Sequence, residues 1–488
     1  MTVPKNIFNM FNMKGKIFLL LIVGCLFFGF TPKAEAADFY INADCTNNGD
    51  GSSWSCASAP SGSGSFNVIP ADSSCVFNGY TWLRGVTYWI AGSDNIYANG
   101  ACFRNVTGSG RITFKKASVA NHGTNTGWLA SYGTKQAVTG PMVLWASDIT
   151  IDGSYRGAPE SGYGLKVQTT SQINIISTRN NIPSTGNILK YLELTHTTYT
   201  TAAAHAVNLW GNGNNTIQYV YAHDLSGICF KGNKDGAYDT SSGFNNLVIE
   251  ESVCGDVGRS TGISHYELVK DDGMAAGTII RNNVFYDWGG STGGIVLSSG
   301  QSNWKIYNNI FSERNGNSSC GNGVITGLTA GLGWTGIKVY NNTFANINVG
   351  CANIFSSGFG DFSGAGNEVK NNLFYKTTTS NICGGGCTKS KNWFYITPNH
   401  TLTGDDISGN VNPFTNSTLE DFTLLSGSGP IDVGLDLSVA FTTDKNGLSR
   451  PQGSAWDIGA YEFIAASPAP TPTPSSTPTP SDTTPPSI

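Results

Sequence analysis

Charged side chains are scarce in this sequence, since only 12% of its 488 residues are Asp, Glu, Lys or Arg. That is about half the share of an average globular protein. The formal net charge of -5 excludes a general nucleic-acid binder, because such a protein needs a basic surface that displaces counterions from phosphates. Apolar residues do not recur with helical periodicity, so long helices are not expected. What the chain has in excess is glycine, with 61 residues, and 11% aromatic residues, a combination typical of all-β proteins rich in turns.

One long apolar run, Ile17 to Phe30, follows Lys14 and Lys16 and precedes small residues that end at Ala36. This order predicts a cleaved signal peptide over residues 1–36, and therefore a secreted or cell-surface protein. The run is too short for a comfortable membrane span, so no membrane-spanning segment is expected. The alternative is a lipoprotein signal, in which Cys25 is acylated and becomes the first residue of the mature chain.

Ten cysteines follow the predicted signal peptide, and an even number in an exported chain indicates disulfides. The simplest pairing joins neighbours along the chain, and Cys383 with Cys387 would close a small loop. A zinc site is disfavoured, because the chain has no Cys-x-x-Cys pair and its six histidines are scattered. The ten residues are Cys45, Cys56, Cys75, Cys102, Cys229, Cys254, Cys320, Cys351, Cys383 and Cys387.

One motif, of the form Ile-x-Asn-Asn-x-Phe, recurs along the second half of the chain. Its copies "VIEESVCGDVG", "IIRNNVFYDWG", "KIYNNIFSERN", "KVYNNTFANIN" and "EVKNNLFYKTT" lie 31, 26, 33 and 30 residues apart, and weaker copies precede them from Ile188 and Thr216. Such an approximate period without helical patterning predicts a β-solenoid, in which each repeat forms one coil. The first asparagine of each pair falls in one column, with a glutamate in the first copy: Glu251, Asn282, Asn308, Asn341 and Asn371.

The Asn-Asn pair has a physical explanation in such a coil. Ile280 and Phe285 can both face the interior only if a bend between them resets the alternation of side chains. Asn282 is expected at that bend, because asparagine tolerates the left-handed backbone conformation. Stacked asparagines can also form a ladder of hydrogen bonds from coil to coil.

The phrases at the two ends of the repetitive region resemble those of a known group of proteins. "DFYINADCTNNGDG" from Asp38 and "GLSRPQGSAWDIGAYEF" up to Phe463, together with the repeats, resemble secreted right-handed parallel β-helix proteins of the pectate-lyase-like superfamily. The resemblance implies an all-β fold, a single-stranded right-handed parallel β-helix over residues 37–464. Within the closing phrase, Arg450 and Asp457 are expected to pair and to cap the last coil.

Residues 465–488 alternate proline with threonine and serine. This composition favours an extended, semi-rigid linker that has no core of its own. The final "DTTPPSI" resembles the first strand of immunoglobulin-like modules, which predicts that the linker leads to a further module. A linker that simply ends free is the alternative.

Charged residues concentrate in two polar insertions, residues 227–246 and 255–277, that flank one repeat. Sites of a solenoid lie on stacked outward residues or on insertions between coils, so this region is the candidate site. The concentrated residues are His223, Asp224, Lys231, Lys234, Asp235, Asp256, Arg259, His265, Lys270, Asp271 and Asp272.

The resemblance implies β-elimination in an acidic polysaccharide, which needs a base and a cation that neutralises the uronate carboxylate. Lys231 resembles the lysine of a chondroitinase- and alginate-lyase-like β-helix family and is expected to be the base. That family has an Arg-His pair on the next coil; here His265 lacks an adjacent arginine, so Arg259 or Lys270 would neutralise the carboxylate. Calcium is a candidate cofactor. Its candidate ligands are Asp256, Asp271 and Asp272.

Each of these residues also has a structural interpretation. Lys231 could simply stand in solvent, and "KDDG" suits an ordinary turn in which Gly273 supplies the permissive backbone. Asp224 aligns with Asp256 and Asp287, which favours a hydrogen-bonding role at a corner of the coil over a role as an acid.

The expected partner of this chain is a polysaccharide, and the chain is expected to be a monomer. Two other hypotheses about its function remain open. The second hypothesis is a non-catalytic surface carbohydrate-binding or adhesin-like protein, in which exposed aromatic rings stack on sugars. The third is a glycoside hydrolase, although the companion motifs of polygalacturonase-like β-helices are absent from the sequence. The aromatic residues considered for stacking, several of which could belong to the core instead, are Tyr155, Trp210, Tyr238, Trp288, Trp304 and Trp334.

Overall fold

The computed structural model describes most of the chain between residues 38 and 465. The described ranges are 38–69, 80–97, 100–170, 174–178, 182, 184–198, 204–211, 213–234, 244–258, 266–289, 293–298, 300–315, 323–327, 333–347, 354–356, 364–378, 382–383, 386–395 and 400–465. The predicted signal peptide, almost all of the predicted linker, and Cys75, Cys320 and Cys351 lie outside them.

The chain forms a right-handed parallel β-helix, as the sequence predicted. Twenty-one strands make one continuous sheet that bends along its length, and nine further strands make a second large sheet. Each coil therefore has three faces, which the chain visits in the order first, second and third. Two long strands, β12 (Ile188–His196) and β14 (Thr216–His223), run across the bend and belong to both the first and the second face.

The remaining strands of the first face pair in parallel from coil to coil. They are β1 (Phe39–Ile41), β3 (Thr87–Ile90), β6 (Ile112–Lys116), β9 (Ile149–Asp152), β16 (Val248–Glu250), β19 (Ile279–Arg281), β22 (Lys305–Tyr307), β25 (Lys338–Tyr340), β28 (Glu368–Lys370) and β30 (Thr388–Ser390).

The second face follows the bend in each coil. Its remaining strands are β7 (Ala137–Thr139), β10 (Leu165–Thr169), β17 (Val253–Cys254), β20 (Val284–Tyr286), β23 (Ile310–Ser312), β26 (Thr343–Ala345), β29 (Leu373–Tyr375), β31 (Trp393–Tyr395) and β32 (Ile407–Gly409).

The third face is the nine-stranded sheet and closes each coil. Its strands are β4 (Ala101–Cys102), β8 (Met142–Leu144), β11 (Ile176–Thr178), β13 (Val207–Trp210), β15 (Phe230–Asn233), β18 (Val269–Asp271), β21 (Ile295–Leu297), β24 (Ile325–Gly327) and β27 (Ile354–Ser356). Outside the coils lie the pair β2 (Trp82–Leu83) with β5 (Val106–Thr107) and the hairpin β33 (Phe414–Asn416) with β34 (Asp421–Leu424).

Helix is confined to two short α-helices and one turn of 3-10 helix among the described residues. The helices α1 (Val119–His122) and α2 (Ala130–Thr134) belong to an insertion after β6, and the 3-10 turn is Ser417–Leu419. None of these helices is long and apolar enough to cross a membrane.

The bend between the first and second faces uses the two asparagines of the motif differently. The first asparagine has the left-handed backbone conformation, with φ of 59° at Asn282 and 55° at Asn308, and Glu251 takes the same conformation in the first copy, with φ of 51°. The prediction for this column is therefore confirmed. In the two long strands that cross the bend, Tyr191 and Tyr219 take the left-handed conformation instead.

The second asparagine of each pair forms the buried ladder. The side chain of Asn309, for example, donates to Asn342 Oδ1 at 3.0 Å and to the carbonyl of Ile280 at 2.9 Å, while its main-chain NH also donates to Asn342 Oδ1. Each rung thus satisfies main-chain groups that the bend removes from the strand ladder. Four rungs are the second asparagines Asn283, Asn309, Asn342 and Asn372, and the fifth is Asn392, which follows Lys391; all five are fully buried.

Interior side chains stack in register beside the ladder. Phe285 stacks on Phe311 with ring centroids 5.2 Å apart, and Phe344, Phe374 and Phe394 continue the column at 4.9 to 5.0 Å. Ile280 lies in the adjacent interior column and is fully buried. Both inward positions predicted from the motif are therefore confirmed.

Disulfides join cysteines that are neighbours along the chain. The bonds Cys45–Cys56, Cys229–Cys254 and Cys383–Cys387 confirm the predicted pairing where both partners are described. Cys229 and Cys254 are fully buried inside the coils.

The segment after β32, residues 411–465, runs back along the outside of the coils. Residues on either side of the phenylalanine column face outward from the second face, and this segment covers them through Phe414, Phe422, Leu424, Ile458 and Ala460. It also follows the asparagine bend, where the main chain of residues 435, 443, 457 and 459 accepts hydrogen bonds from Asn371, Asn308 and Asn341.

The expected pairing of Arg450 with Asp457 at the last coil is wrong. The carboxylate partner of Arg450 is Glu462, with 2.6 Å between Nη1 and Oε1, and both side chains are completely buried. Arg450 also donates to Asn308 Oδ1 and to the carbonyl of Asp457, so it lies at the bend of a coil in the middle of the stack. The C-terminal segment reaches this bend because its apolar residues pack against the outward side of the second face.

The substitution Asn342→Ala tests the ladder. It leaves the carbonyl of Ile306 and the main-chain NH of Asn309 without their partners in the interior, at a cost of about 1–3 kcal/mol for each buried group. We expect the free energy of unfolding in urea to fall by about 3 kcal/mol or more. Asn446→Ala, at an exposed position, is the control and should change it by less than about 0.5 kcal/mol. Equal losses in the two variants would contradict the role of the ladder.

The substitution Glu462→Ala tests the attachment of the C-terminal segment. The guanidinium of Arg450 then loses its ion pair with Glu462, and breaking a buried pair in this way costs about 3–5 kcal/mol. We expect limited proteolysis to cut within residues 411–465 in this variant and not in the parent protein. Asp94→Ala, which removes the exposed Asp94–Lys135 pair, is the control and should leave the digestion pattern unchanged.

Candidate functional site

Two lysines of the candidate site lie side by side on the third face. Lys231 of β15 pairs in register with Lys270 of β18, one coil further along. Neighbouring strands are about 4.8 Å apart, so the two side chains leave the sheet as adjacent members of one outward column. The insertions separate them widely in sequence, and the coil brings them together.

Asp272 holds both ammonium groups. Its two carboxylate oxygens lie 3.3 Å from Lys231 Nζ and 3.3 Å from Lys270 Nζ. The side chain of Lys231 is 19% exposed and that of Lys270 is 9% exposed, so Lys231 is the more accessible of the two. The cluster has two positive charges and one negative charge, which makes this part of an otherwise acidic protein locally attractive to an anion.

Asp271 lies on the other side of the strand from Lys270. Successive residues of a strand point to opposite faces, so Asp271 enters the interior column between Gly232 and Leu297. Its side chain is fully buried, and its Oδ2 accepts a hydrogen bond of 2.8 Å from Gln301 Nε2. Gly232 leaves room for it, because a Cβ at that position would lie 2.3 Å from Asp271 Oδ1.

Asp256 lies at a different place in the coil. It has the left-handed conformation at the end of the second face, in the same position as Asp224 and Asp287, with φ of 51°, 52° and 45°. This confirms the predicted column of corner aspartates. Asp287 shows the role of that corner, because its Oδ1 accepts the main-chain NH of Arg314 at 2.7 Å.

The three aspartates predicted to bind calcium do not form one site with other described residues. No group of three or more His, Cys, Asp and Glu side chains within the described ranges is arranged to hold a metal ion. Asp271 lies inside the coil, Asp272 contacts two lysines, and Asp256 lies at the corner. The calcium prediction therefore stays a prediction.

Arg259 and His265 lie in residues 259–265, outside the described ranges, so their predicted roles stay predictions. One neighbour of the lysines was missed in the sequence. Asn208 of β13 pairs in register with Lys231, and its Oδ1 accepts a hydrogen bond from Asn233 Nδ2. The repeat alignment gave no signal for Asn208, because the motif marks the bend between the first two faces and not the third.

The aromatic residues considered for sugar stacking differ in their exposure to solvent. Trp288, Trp304 and Trp334 are buried in the interior, with at most 1% of their surface exposed, so they cannot stack on a sugar. Tyr155 and Trp210 are half-buried, and Tyr238 lies outside the described residues.

No family model and no curated protein matches the chain. Thirteen chains of solved structures resemble it, and three of them are described below. Pectate lyase Pel9A is 15% identical, with 88% of this chain and 96% of that chain covered and a TM-score of 0.46. A variant of the PL6 family alginate lyase AlyGC is 12% identical, with 80% and 60% covered and a TM-score of 0.38. The GH136 lacto-N-biosidase from Eubacterium ramulus is 10% identical, with 76% and 67% covered and a TM-score of 0.40. These values assign no activity, and the fold rests on the strand pairing described above.

Proposed function

We propose that this protein is a secreted carbohydrate-active β-helix protein that cleaves an acidic, uronate-containing polysaccharide by β-elimination on its third face. The observation that supports the proposal is the cluster of Lys231, Lys270 and Asp272. It offers two adjacent cations on a sheet that is long enough to follow a polymer. A polymer laid along the coils would place one uronate carboxylate beside these ammonium groups.

The two lysines divide the reaction between them. Lys270, the more buried, binds the uronate carboxylate and neutralises the charge that develops on it. Lys231, the more exposed, first loses a proton to solvent and then, as the amine, takes the proton from the carbon next to that carboxylate. The electron pair of the broken C–H bond becomes the new carbon–carbon double bond, and the bond to the leaving glycosidic oxygen breaks. The leaving oxygen takes a proton from water, and Lys231 later returns the proton it removed to the hydroxide that this leaves. Arg259 and His265 remain proposed members of this site.

Export and a monomeric state belong to the same proposal. The disulfides Cys45–Cys56, Cys229–Cys254 and Cys383–Cys387 support an oxidising compartment, because such bonds are rare in reducing ones. The predicted signal peptide over residues 1–36 points to the same compartment.

Carbohydrate binding without cleavage is the second candidate function. The observation that favours it is the position of Asp272, which contacts both lysines at 3.3 Å and so competes with a substrate carboxylate. A protein of this kind would hold an acidic polymer at the cell surface without breaking it.

The test is incubation of the purified protein with pectate, alginate and chondroitin, followed by the ultraviolet absorbance of unsaturated products. We expect a signal on at least one polymer, and a loss of about 10²-fold or more in Lys231→Ala, since a general base contributes about 10²–10⁴-fold. Lys338→Ala is the matched control, because Lys338 also pairs with a carboxylate, at 2.8 Å, but on the first face. A full signal in Lys231→Ala would show that another residue is the base. No signal on any polymer, with retained binding in a gel-shift assay, would favour the second candidate.

The calcium prediction is tested in the same assay. Activity that a chelator removes and calcium restores would support a bound cation near Asp272. Activity that the chelator leaves unchanged would show that lysine charge alone neutralises the substrate, and Lys270→Ala should then abolish it.

A further inference from the structure

Strand β13 carries two outward side chains directly beside the lysine cluster of the third face. Val207 and Leu209 face the interior and are at most 1% exposed, so the alternate residues, Asn208 and Trp210, face outward. Asn208 pairs in register with Lys231 on the next coil. Equal positions of neighbouring coils lie about 4.8 Å apart, so Asn208 extends the lysine column by one coil.

Trp210 belongs to the neighbouring outward column. It pairs in register with Asn233, and the register of β15 with β18 places Asp272 in the same column one coil later. This column therefore leads from Trp210 to the carboxylate that holds both lysines. The indole of Trp210 is half-buried and makes no ring contact and no hydrogen bond with the described residues. The exposed part of the indole is open to a ligand.

The side-chain amide of Asn208 is a fixed donor beside this indole. Asn233 Nδ2 donates a hydrogen bond to Asn208 Oδ1, which sets the orientation of the Asn208 amide. The NH2 group of Asn208 makes no hydrogen bond within the described part of the chain, although the residue is only 6% exposed. A nearly buried donor costs free energy unless a ligand or water supplies an acceptor. The amide is therefore ready for an acceptor on the outer side of β13.

The end of β13 is held in place before any ligand arrives. The NH of Trp210 donates to Thr178 Oγ1 at 2.6 Å, and the hydroxyl of Thr178 donates to the carbonyl of Trp210 at 3.2 Å. Thr178 belongs to β11 on the preceding coil and is itself only 2% exposed. A backbone that is already ordered lowers the entropy cost of binding.

An indole beside an amide donor matches the chemistry of a sugar ring. A pyranose has apolar C–H faces that pack on aromatic rings, and oxygens at its edge that accept hydrogen bonds. Asn208 and Trp210 are both uncharged, so they contact the ring and its oxygens whether or not that unit carries a carboxylate. The lysine cluster differs, because its ammonium groups select an anion.

We propose that Asn208 and Trp210 form a subsite, the β13 subsite, for the sugar unit next to the uronate that the lysines hold. The position of that uronate rests on the function proposed above. One coil rises about 4.8 Å, which is close to the advance of one pyranose unit in an extended chain, so a polymer along the coils places successive units on successive strands. The neighbouring unit packs its ring on Trp210 and accepts a hydrogen bond from Asn208 Nδ2.

Titration calorimetry with the hexasaccharides of pectate, alginate and chondroitin tests the β13 subsite. The background is Lys231→Gln, which lacks the proposed base and should leave the probes uncut. We expect at least one hexasaccharide to bind. Adding Trp210→Ala or Asn208→Ala should weaken that binding about tenfold each, because each removes a direct contact with the sugar.

Tryptophan fluorescence separates contact with the sugar from support of the fold. Trp210→Phe should keep most of the affinity, because it retains an aromatic face, and should lose the fluorescence change that the hexasaccharide causes in the background protein. Trp128→Ala is the matched control, since Trp128 is also half-buried but lies in the insertion after β6. It should keep both the affinity and the fluorescence change. Thermal unfolding of every variant checks the fold.

Two outcomes would overturn the subsite. One is that no hexasaccharide binds, and the other is that folded Trp210→Ala or folded Asn208→Ala binds as tightly as the background protein. If the parent cleaves a polymer and the Trp210→Ala change leaves binding intact, the subsite is wrong and elimination stands. If the parent cleaves no polymer and hexasaccharide binding still depends on Trp210, elimination is wrong and the subsite stands.

Discussion

The hydrogen bonds of the buried asparagines at each bend are the interaction on which the rest of the β-helix depends. A coil must turn between its first and second faces, and the turn removes main-chain groups from the strand ladder inside a dry core. The second asparagine of each pair returns partners to them, as Asn309 does through Asn342 and the carbonyl of Ile280. This bond fixes the register of successive coils, and the phenylalanine column can then stack at about 5 Å.

That same register brings charged side chains of successive coils together. Lys231 and Lys270 become neighbours because equal positions of successive coils lie above one another, whatever the length of the insertions between them. Glu193 and Tyr221 become neighbours on the second face for the same reason. A solenoid therefore builds surfaces from residues far apart in sequence without a complex topology.

The sequence predicted the parts of this structure that depend on local chemistry. The Asn-Asn motif located the bend, and chain neighbours among the cysteines form the described disulfides, because short loops bring them together. The sequence did not predict contacts between segments that are far apart along the chain. Arg450 meets Glu462 and Asn308 because the C-terminal segment returns along the coils, and no local pattern encodes that return. A cavity of about 620 Å³ on the second face was missed similarly, since residues of separate coils line it, among them Gln136, Glu193 and Tyr221.

The returning C-terminal segment also sets where the chain leaves the solenoid. The NH of Ala460 bonds to Thr343 Oγ1 and the NH of Glu462 to Asp444, so the last described residues lie against the flank of the coils. The chain therefore leaves the described structure at the side of the stack, whereas an exit at the final coil would lie on the long axis of the stack. An attachment made at residue 465 would hold the solenoid by its long side and not by its tip.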